Sequence, residues 1–323
     1  MAGGGGDPKK VVKAAMFANG GIAVAKFIAA FFSGSATMMA EGVHSVADTT
    51  NQGLLLVGMV LSSKRADDRF QFGRGAESYF WAFIVALLLF FLGGVYAIYE
   101  GVHKLGHVEA PGSPWIALAV LVVSIALEGG SFLVAWKEFA KERGNRSYRE
   151  ALFEGKDPII PVVLLEDTGA LVGLVVALVA VFVTWLTGNA MFDAIGSIVI
   201  GALLCVIGVL LARDTRDLLI GEGITKSMRD RVVTLAETTP GVESVRQLLS
   251  LHLGPSTILL ALKVRFQQSF TVAEVEKATD VLEDRIRAEI PAMKRIFVEP
   301  DSDYDASLDR GEDDAQSAPV AAS

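Results

Sequence analysis

Residues 158–186 read PIIPVVLLEDTGALVGLVVALVAVFVTWL, and this stretch decides the fold class. An α-helix needs about 20 residues to cross the hydrocarbon of a bilayer, and this stretch is longer than that. It is almost wholly apolar, except for the adjacent acids Glu166 and Asp167 and a few hydroxyls. The stretch therefore predicts a transmembrane helix. Its two acids predict a functional role, because ionisable groups are costly at membrane depth.

Five further apolar stretches complete a set of six predicted transmembrane helices. Basic residues stand before the first span and in alternate loops, which predicts that both ends of the chain are cytoplasmic. The opening Lys9-Lys10 and the apolar stretch after it resemble a signal peptide, but more spans follow, so we interpret the stretch as a retained helix. The five spans are Val11–Phe32, Thr37–Ser62, Glu77–Val102, Pro114–Trp136 and Met191–Ala212.

The composition agrees with a membrane protein. Of 323 residues, 52% are hydrophobic, and the mean hydropathy is +0.45. The net charge of -8 is local, because eight acids and one base lie between Glu299 and Ser323. This acidic balance argues against nucleic-acid binding. The single cysteine, Cys205, excludes an internal disulfide and a cysteine-based zinc site.

After Gly221 the pattern changes to that of a soluble domain with the order αββαβ, typical of a small α+β sheet with helices on one face. The elements are Ile224–Thr238, Val242–Leu253, Thr257–Phe266, Val272–Ile290 and Arg295–Val298. The predicted fold is thus an all-α membrane domain of six transmembrane helices plus a small cytoplasmic α+β domain. The domains are a cytoplasmic segment (1–10), the transmembrane domain (11–221), the αββαβ domain (222–300) and an acidic, disordered tail (301–323).

The second predicted span carries a stripe of polar residues. Residues 41–52 read EGVHSVADTTNQ, in which His44 and Asp48 are four apart and project from one helical face. Glu41 and Asn51 extend the stripe by three residues in each direction. A charge facing lipid would cost ~3 kcal/mol or more, so the stripe must face protein or water. A helix–helix polar contact is the alternative explanation, and Glu41 could equally be interfacial.

Other spans add polar groups at similar depth. On the fifth span Glu166 and Asp167 point about 100° apart, so one can face a site while the other meets a neighbour. Glu128 lies near the middle of the fourth span, and we expect Gly129 and Gly130 to allow close helix approach there. Asn19 lies in the first span, and a hydrogen bond between helices would by itself be enough to explain it.

A histidine nitrogen with two or three carboxylates suits zinc, and also manganese or iron. The absence of thiolates argues against copper(I). Residues 70–75, FQFGRG, follow no predicted strand and so form no nucleotide loop. We find no Walker motif and no nucleophile–base pair, so neither ATP-driven pumping nor an enzyme is expected.

At these residues the chain resembles the cation diffusion facilitator family of metal exporters, over a region from Asn19 to about Pro300. Together the matching parts are specific, although each alone would not be. They are Ser33-Gly34-Ser35, residues 41–48 (EGVHSVAD), Phe72-Gly73-Arg74-Gly75, Asp167 with Gly173, Asp193 with Ser197, and the αββαβ domain.

The resemblance implies a homodimer that works by alternating access, with protons moving inward as metal leaves. It implies that His44, Asp48 and Asp167 are ligands of the transported ion. Zinc-transporting members carry a further His or Asp four residues before the helix 5 Asp, whereas this chain has Val163 there. Glu166, Asn19, Asn51 or a water could replace that ligand, and Glu128 and Glu41 are candidates for a proton relay.

We therefore expect a transporter in the plasma (inner) membrane that exports a divalent transition-metal ion in exchange for protons. Zinc is the first choice, with manganese and iron as alternatives, and no cofactor is expected beyond the transported ion. The expected partners are a second copy, membrane lipid and protons. Two alternatives use the same His/Asp cluster: a membrane-embedded metalloenzyme that activates water, and a metal sensor that does not transport.

Overall fold

The computed structural model describes residues 7–33, 36–106, 114–144, 147–153, 155–301 and 303. Within these ranges a few side chains are not described, namely those of residues 29–30, 32–33, 36–44, 47, 114, 116, 149–150 and 153. The chain divides into two compact units, and the division falls after Gly221.

The first unit is helical. Its helices are α1 (Pro8–Ser33), α2 (Ala36–Ser62), α3 (Glu77–Leu88), α4 (Tyr96–Gly106), α5 (Pro114–Arg143), α6 (Tyr148–Phe153), α7 (Ile159–Thr187) and α8 (Met191–Ile220). A π-helical segment, Leu89–Val95, joins α3 to α4, so that Glu77–Gly106 is one continuous helical stretch. Neither this π-helical segment nor the short α6 was predicted from the sequence.

Six long helical stretches confirm the predicted membrane domain. Five of them are long and apolar enough to cross a bilayer among the residues described, namely Pro8–Ile28, Glu77–Gly106, Ala117–Arg143, Ile159–Thr187 and Met191–Ile220. The remaining stretch, α2, has 27 residues, but too few of its side chains are described for the same test. At 1.5 Å per residue, its length of about 40 Å also suffices to span the membrane.

At their C-terminal ends, helices α5 and α8 are longer than the predicted spans. We predicted ends at Trp136 and Ala212, whereas the helices continue to Arg143 and Ile220. The apolar pattern ends where the hydrocarbon ends, but a helix satisfies its own backbone hydrogen bonds and can continue into water. Helix α8 is terminated by Gly221, whose φ of 119° is a left-handed conformation that favours glycine.

The helices pack around one apolar core. Helix α1 packs against α2 and α5, α7 packs against α5 and α8, and α8 also packs against the α3–α4 stretch. Close approach of α8 depends on glycine: a Cβ atom at Gly201 would lie 2.6 Å from the carbonyl oxygen of Gly94. The predicted role of Gly129 and Gly130 in close approach was wrong, because no described atom lies within 4 Å of a Cβ at either position.

The loop between α2 and α3 contains the Phe72-Gly73-Arg74-Gly75 motif and is built around Asp67. The Asp67 carboxylate accepts hydrogen bonds from the backbone N–H of Phe70 at 2.7 Å and from the guanidinium of Arg74 at 2.9 Å. These two donors, the Phe70 N–H first, hold the pKa of Asp67 below its usual value. Arg74 also lies over the Phe70 ring, and Gly73 has a φ of 88°. The motif thus shapes a loop.

The second unit confirms the αββαβ prediction. It contains α9 (Lys226–Glu237), β1 (Val242–Gly254), β2 (Thr257–Phe266), α10 (Val272–Glu289) and β3 (Met293–Pro300). The sheet order is β1-β2-β3, and β2 and β3 run parallel with Leu260 opposite Ile296. The crossover that parallel strands require is α10. Its buried Leu282 and Ile286 join alternate residues of β2 in a separate apolar core.

Candidate functional site

A cavity of about 330 Å³ lies inside the helical unit, between α1, α2, α4, α5, α7 and α8. Most of its wall is apolar, as expected for a membrane interior. Its polar lining includes six of the residues predicted from the sequence, which are Asn19, Asp48, Asn51, Glu128, Glu166 and Asp167. The structure therefore brings together polar groups from four helices that are far apart in the chain.

Helix α2 supplies Ser45, Asp48 and Asn51 to this cavity. Their spacing of three residues puts them on one helical face, as the stripe predicted. The side chains of Glu41 and His44, two of the predicted residues, lie outside the described residues, although the backbone of both is helical. His44 is one turn from Asp48 along α2.

The two adjacent acids of α7 are bound by different helices. Both oxygens of Glu166 accept hydrogen bonds from amides of α2, from Asn51 Nδ2 at 3.2 Å and from Gln52 Nε2 at 3.0 Å. Asp167 instead accepts a hydrogen bond from Ser131 Oγ of α5 at 2.7 Å. This agrees with the expected divergence of adjacent side chains on a helix.

Asn19 belongs to the same network as Glu166. Its Nδ2 donates to Gln52 Oε1 at 3.4 Å, so a chain of hydrogen bonds joins α1, α2 and α7. Gln52, which is fully buried, was not singled out in the sequence. Its position next to Asn51 and four residues after Asp48 was the available signal. The network shows that Asn19, Asn51 and Glu166 already serve interhelical contacts.

Glu128 on α5 has a different environment. Its side chain is 5% exposed, and among the described residues its Oε2 has no hydrogen-bond partner. It lies close enough to Asp48, Asp167 and Lys26 for electrostatic interaction with all three. A carboxylate oxygen that is buried without a donor is costly, so this position suits a cation or a proton.

Lys26 on α1 is a cavity residue that was not singled out in the sequence. Its side chain is 6% exposed, lines the cavity, and donates from Nζ to Ser45 Oγ at 3.0 Å. The available signal was a lysine seven residues from the end of a long apolar helix. Its presence places a positive charge among the carboxylates of the cavity.

The cavity extends toward the junction of α4 and α8. There Lys104 Nζ forms ion pairs with Glu100 Oε1 at 3.3 Å and with Asp193 Oδ2 at 3.2 Å. Ser197 Oγ donates to the backbone carbonyl of Asp193 at 3.2 Å. The Asp193 and Ser197 pair quoted in the family resemblance therefore belongs to a contact between helices that also lines the cavity.

Carboxylates of α2, α5 and α7 line the cavity, and His44 lies one turn from Asp48 along α2. Carboxylate oxygens and imidazole nitrogens are donors of the kind that divalent metals take. Among the described side chains, no three of His, Cys, Asp and Glu are close enough together to hold a metal ion. Val163, the position at which a ligand was expected from the resemblance, is fully buried in the apolar core and does not line the cavity.

Two family models match this chain, and together they cover most of it. Residues 12–220 match the cation efflux transmembrane domain. Residues 224–303 match the cytoplasmic domain of cation efflux proteins, in a model named ZT_dimer. The two matched regions meet where the structure divides into its two units.

Curated relatives agree with these models. The chain is 31% identical over 290 residues to the mouse (Mus musculus) proton-coupled zinc antiporter SLC30A9, mitochondrial, a match that covers 89% of this chain and 51% of the relative. It is 31% identical over 273 residues to metal tolerance protein C4 of Arabidopsis thaliana, a match that covers 84% of this chain and 60% of that protein. It is 25% identical over 291 residues to magnetosome protein MamB of Magnetospira sp., covering 90% and 93%. The chain thus spans about half the length of the zinc antiporter.

A solved structure titled MamM-CTD 215-293 is similar to part of the chain. It is 19% identical, and the match covers 24% of this chain and 98% of that one, with a TM-score of 0.23. A likeness at this level carries no argument about the site. The assignment of the second unit rests on the family model and on its αββαβ order.

Proposed function

Because this chain belongs to the cation efflux (cation diffusion facilitator) family, we propose that it exports a divalent transition-metal ion from the cytoplasm in exchange for protons. The protein is a multi-pass integral membrane protein with a cytoplasmic C-terminal domain. Membership of a transporter family argues against the interpretation as a metalloenzyme. The names of the SLC30A9 relatives describe proton-coupled zinc antiporters, and the proposal extends that activity to this chain.

The observation that carries the proposal is the group of carboxylates that line one cavity, of which Glu128, Glu166 and Asp167 are buried. Asp48 of α2 and Asp167 of α7 both line it, and Asp167 also accepts a hydrogen bond from Ser131 of α5. Charges at this depth are rare unless they bind an ion or a proton, since each is costly in an apolar environment. A cavity lined by them is a suitable place for a cation to bind between the helices.

In the proposed transport site, His44, Asp48 and Asp167 bind the ion. Ser131 orients Asp167 by donating to Oδ2, which leaves Oδ1 available as a ligand atom. Glu166, Asn19 and Asn51 are further candidate ligands. Both oxygens of Glu166 already accept hydrogen bonds, whereas Asn19 and Asn51 donate through Nδ2 and would bind an ion through Oδ1. We propose that their first role is to hold α1, α2 and α7 together around the site.

Zinc is the proposed main ion, with manganese and iron as ions that the same ligands accept. One imidazole favours zinc, whereas carboxylate and amide oxygens favour harder ions. With Val163 at the usual fourth position, the side chains present do not complete a four-ligand zinc shell. Water can complete the shell in the 330 Å³ cavity, which has ample room for it.

Proton coupling follows from competition at the same atoms. A divalent ion that leaves buried carboxylates leaves negative charge without compensation, and protons can then bind in its place. His44 can also take a proton, because imidazole changes charge between about pH 5 and 8. We propose Glu128 as a relay, since its Oε2 faces the charged groups of the cavity without a hydrogen-bond partner among the described residues. Glu41 is a second candidate relay, proposed from its position on α2.

We also propose a homodimer in the plasma (inner) membrane. The name of the cytoplasmic family model, ZT_dimer, supports pairing through the second unit. Fractionation of cell membranes beside marker enzymes tests the location. Co-purification with an internal membrane would contradict the plasma membrane assignment.

The experiment that tests the function uses purified protein in proteoliposomes with an acidic lumen. Zinc should accumulate inside against its own gradient while lumen pH rises, because protons leave as metal enters. Fluorescent zinc and pH indicators inside the vesicles measure both fluxes. The His44→Ala variant should change the pH dependence of uptake.

The control is the same preparation with the pH gradient collapsed by an ionophore, which should leave only downhill flux. Uptake that ignores the gradient and moves no protons would reduce the proposal to facilitated diffusion. A panel of zinc, manganese and iron in the same vesicles identifies the preferred ion.

A further inference from the structure

Lys26 is an unexpected residue to find in the cavity of a cation transporter. It lies within the apolar length of α1, its side chain is 6% exposed, and its Nζ donates to Ser45 Oγ of α2 at 3.0 Å. Both residues line the same cavity as Asp48 and Glu128. A lysine at membrane depth costs ~3 kcal/mol or more, so its charge must be compensated by neighbouring groups.

The surrounding groups are strongly acidic. Six carboxylates line the same cavity: those of Glu100 and Asp193, which form ion pairs with Lys104, and those of Asp48, Glu128, Glu166 and Asp167. Glu128 interacts electrostatically with Asp48 and Asp167, both acidic, and with Lys26, the cation. Without a bound ion, like charges repel across this low-dielectric space, and the Lys26 ammonium group supplies a positive charge on a side chain that, unlike the transported ion, is covalently attached to α1.

The same charge opposes a divalent ion that binds nearby. Coulomb's law makes this repulsion strong inside a protein, where the effective dielectric constant is about 20 or less. A site with acids alone would bind the ion more tightly and release it more slowly. A transporter has to release its ion in each cycle, so a lower affinity favours turnover.

We propose that Lys26 is a tethered counter-cation of the transport site, which lowers its affinity for divalent metal and thereby speeds release. In the metal-free state its ammonium group compensates part of the negative charge of the cavity. In the loaded state it repels the ion. Lys26 is thus a positioning and affinity-setting residue, and this inference rests on the proposed function of the cavity.

The test compares Lys26→Met, which removes the charge but keeps most of the length, with Lys26→Arg, which keeps the charge. Zinc uptake is measured over a range of zinc concentrations in proteoliposomes. For Lys26→Met we expect both KM and kcat to fall, KM by about tenfold, because the ion binds more tightly and leaves more slowly. Lys26→Arg should stay within about threefold of wild type on both constants.

Two further variants separate charge from structure. Lys26→Gln keeps a hydrogen-bond donor for Ser45 without the charge, so it should behave like Lys26→Met. Lys13→Met is the matched control on the same helix, because Lys13 is exposed and lies outside the cavity. It should leave KM and kcat unchanged. Size-exclusion chromatography establishes that each variant is folded.

An unchanged or raised KM for the folded neutral variants would overturn the inference. So would a Lys26→Arg variant whose KM and kcat fall as far as those of Lys26→Met. If wild-type protein moves no zinc, the proposed function fails, and calorimetry of zinc binding to the same purified proteins then decides about Lys26. Binding that is tighter by about tenfold in Lys26→Met supports the counter-cation role. Equal binding excludes it.

Discussion

At the scale of single residues, a step of one position on α7 changes the environment of a carboxylate completely. Glu166 is held by two amides of α2, whereas Asp167 accepts a hydroxyl of α5. Fixed amide donors satisfy Glu166 without any ion. Asp167 keeps one oxygen outside that hydrogen bond, so we expect ion binding to depend on Asp167 more than on Glu166.

The first prediction concerns the shared site. Asp48→Ala and Asp167→Ala should each reduce zinc flux to the background of empty vesicles, because each removes a charged ligand from the cavity. Asp217→Ala is the control, since Asp217 is exposed near the end of α8 and pairs with Arg216. It should transport normally. Near-normal flux from a folded Asp48→Ala or Asp167→Ala protein would rule out a site shared by α2 and α7.

The second prediction concerns Val163, which precedes Asp167 by one turn of α7 and so lies on the same face. Val163 itself does not line the cavity, but the longer side chain of Val163→His starts from the face that carries Asp167. We expect it to add an imidazole to the shell and to raise the ratio of zinc to manganese flux. Val162→His is the control, because Val162 is equally buried but points about 100° away. An unchanged ratio in Val163→His would mean that this position does not reach the ion.

At the scale of elements, glycines determine how closely α8 approaches the π-helical segment and α4. Gly94 and Gly101 on one side face α8, where Gly201 and Gly208 are also seven residues apart. These two glycine pairs, each spaced by seven residues, let the backbones of the helices approach closely. The π-helical segment contains Gly94 and also lines the cavity through Leu92 and Gly93. Packing of α8 and the shape of the cavity are therefore linked.

The third prediction tests that contact. Gly201→Ala should destabilise the protein by about 1–3 kcal/mol, since its Cβ would meet backbone atoms of Gly94 and Ile98 that cannot move aside. Thermal unfolding in detergent measures the change. Gly129→Ala is the matched control, with no described atom near its Cβ. It should be neutral or stabilise by up to about 1 kcal/mol, because alanine favours a helix.

An equal loss of stability in Gly201→Ala and Gly129→Ala would indicate that helix flexibility, and not close packing, explains both glycines. An unaffected Gly201→Ala protein would mean that α8 lies further from α4 than the structure shows.

At the scale of the whole molecule, two cores are built in different ways. The membrane unit packs long apolar helices, and the second unit packs two helices onto a three-stranded sheet. The second core is complete in itself, with Leu260, Leu282 and Met293 fully buried. A segment with its own core can fold without the membrane part.

The fourth prediction follows from that second core. The segment from Ile224 to Val298, expressed alone, should be soluble and should sediment as a dimer in analytical ultracentrifugation. Most of its apolar residues pack in its own core, whereas Val272 and Phe297 are exposed on its surface, at 86% and 54%. A Phe297→Glu variant tests whether that exposed aromatic contributes to pairing. A stable monomer at high concentration would move the dimer contacts into the membrane unit.

The sequence by itself determined the architecture. Six apolar stretches of sufficient length and the αββαβ order after Gly221 were enough, because length and hydrophobic period are local properties of a chain. The family resemblance drawn from the motifs was confirmed by models that match residues 12–220 and 224–303. The sequence did not show the extensions of α5 and α8 beyond the apolar spans or the π-helical segment, because the apolar pattern reports neither where a helix ends in water nor how its backbone is hydrogen-bonded.

Only the tertiary structure decided which partner each polar group has. Gln52 binds Glu166 across 114 residues, Ser131 binds Asp167 across 36, and Lys26 binds Ser45 across 19. The pattern of one helix predicts which face a side chain takes, but not which side chain of another helix lies opposite. Those pairings depend on how the helices pack, and for this reason the segment of Lys26 shows a lysine within an apolar helix but not that it meets Ser45 among the carboxylates of the cavity.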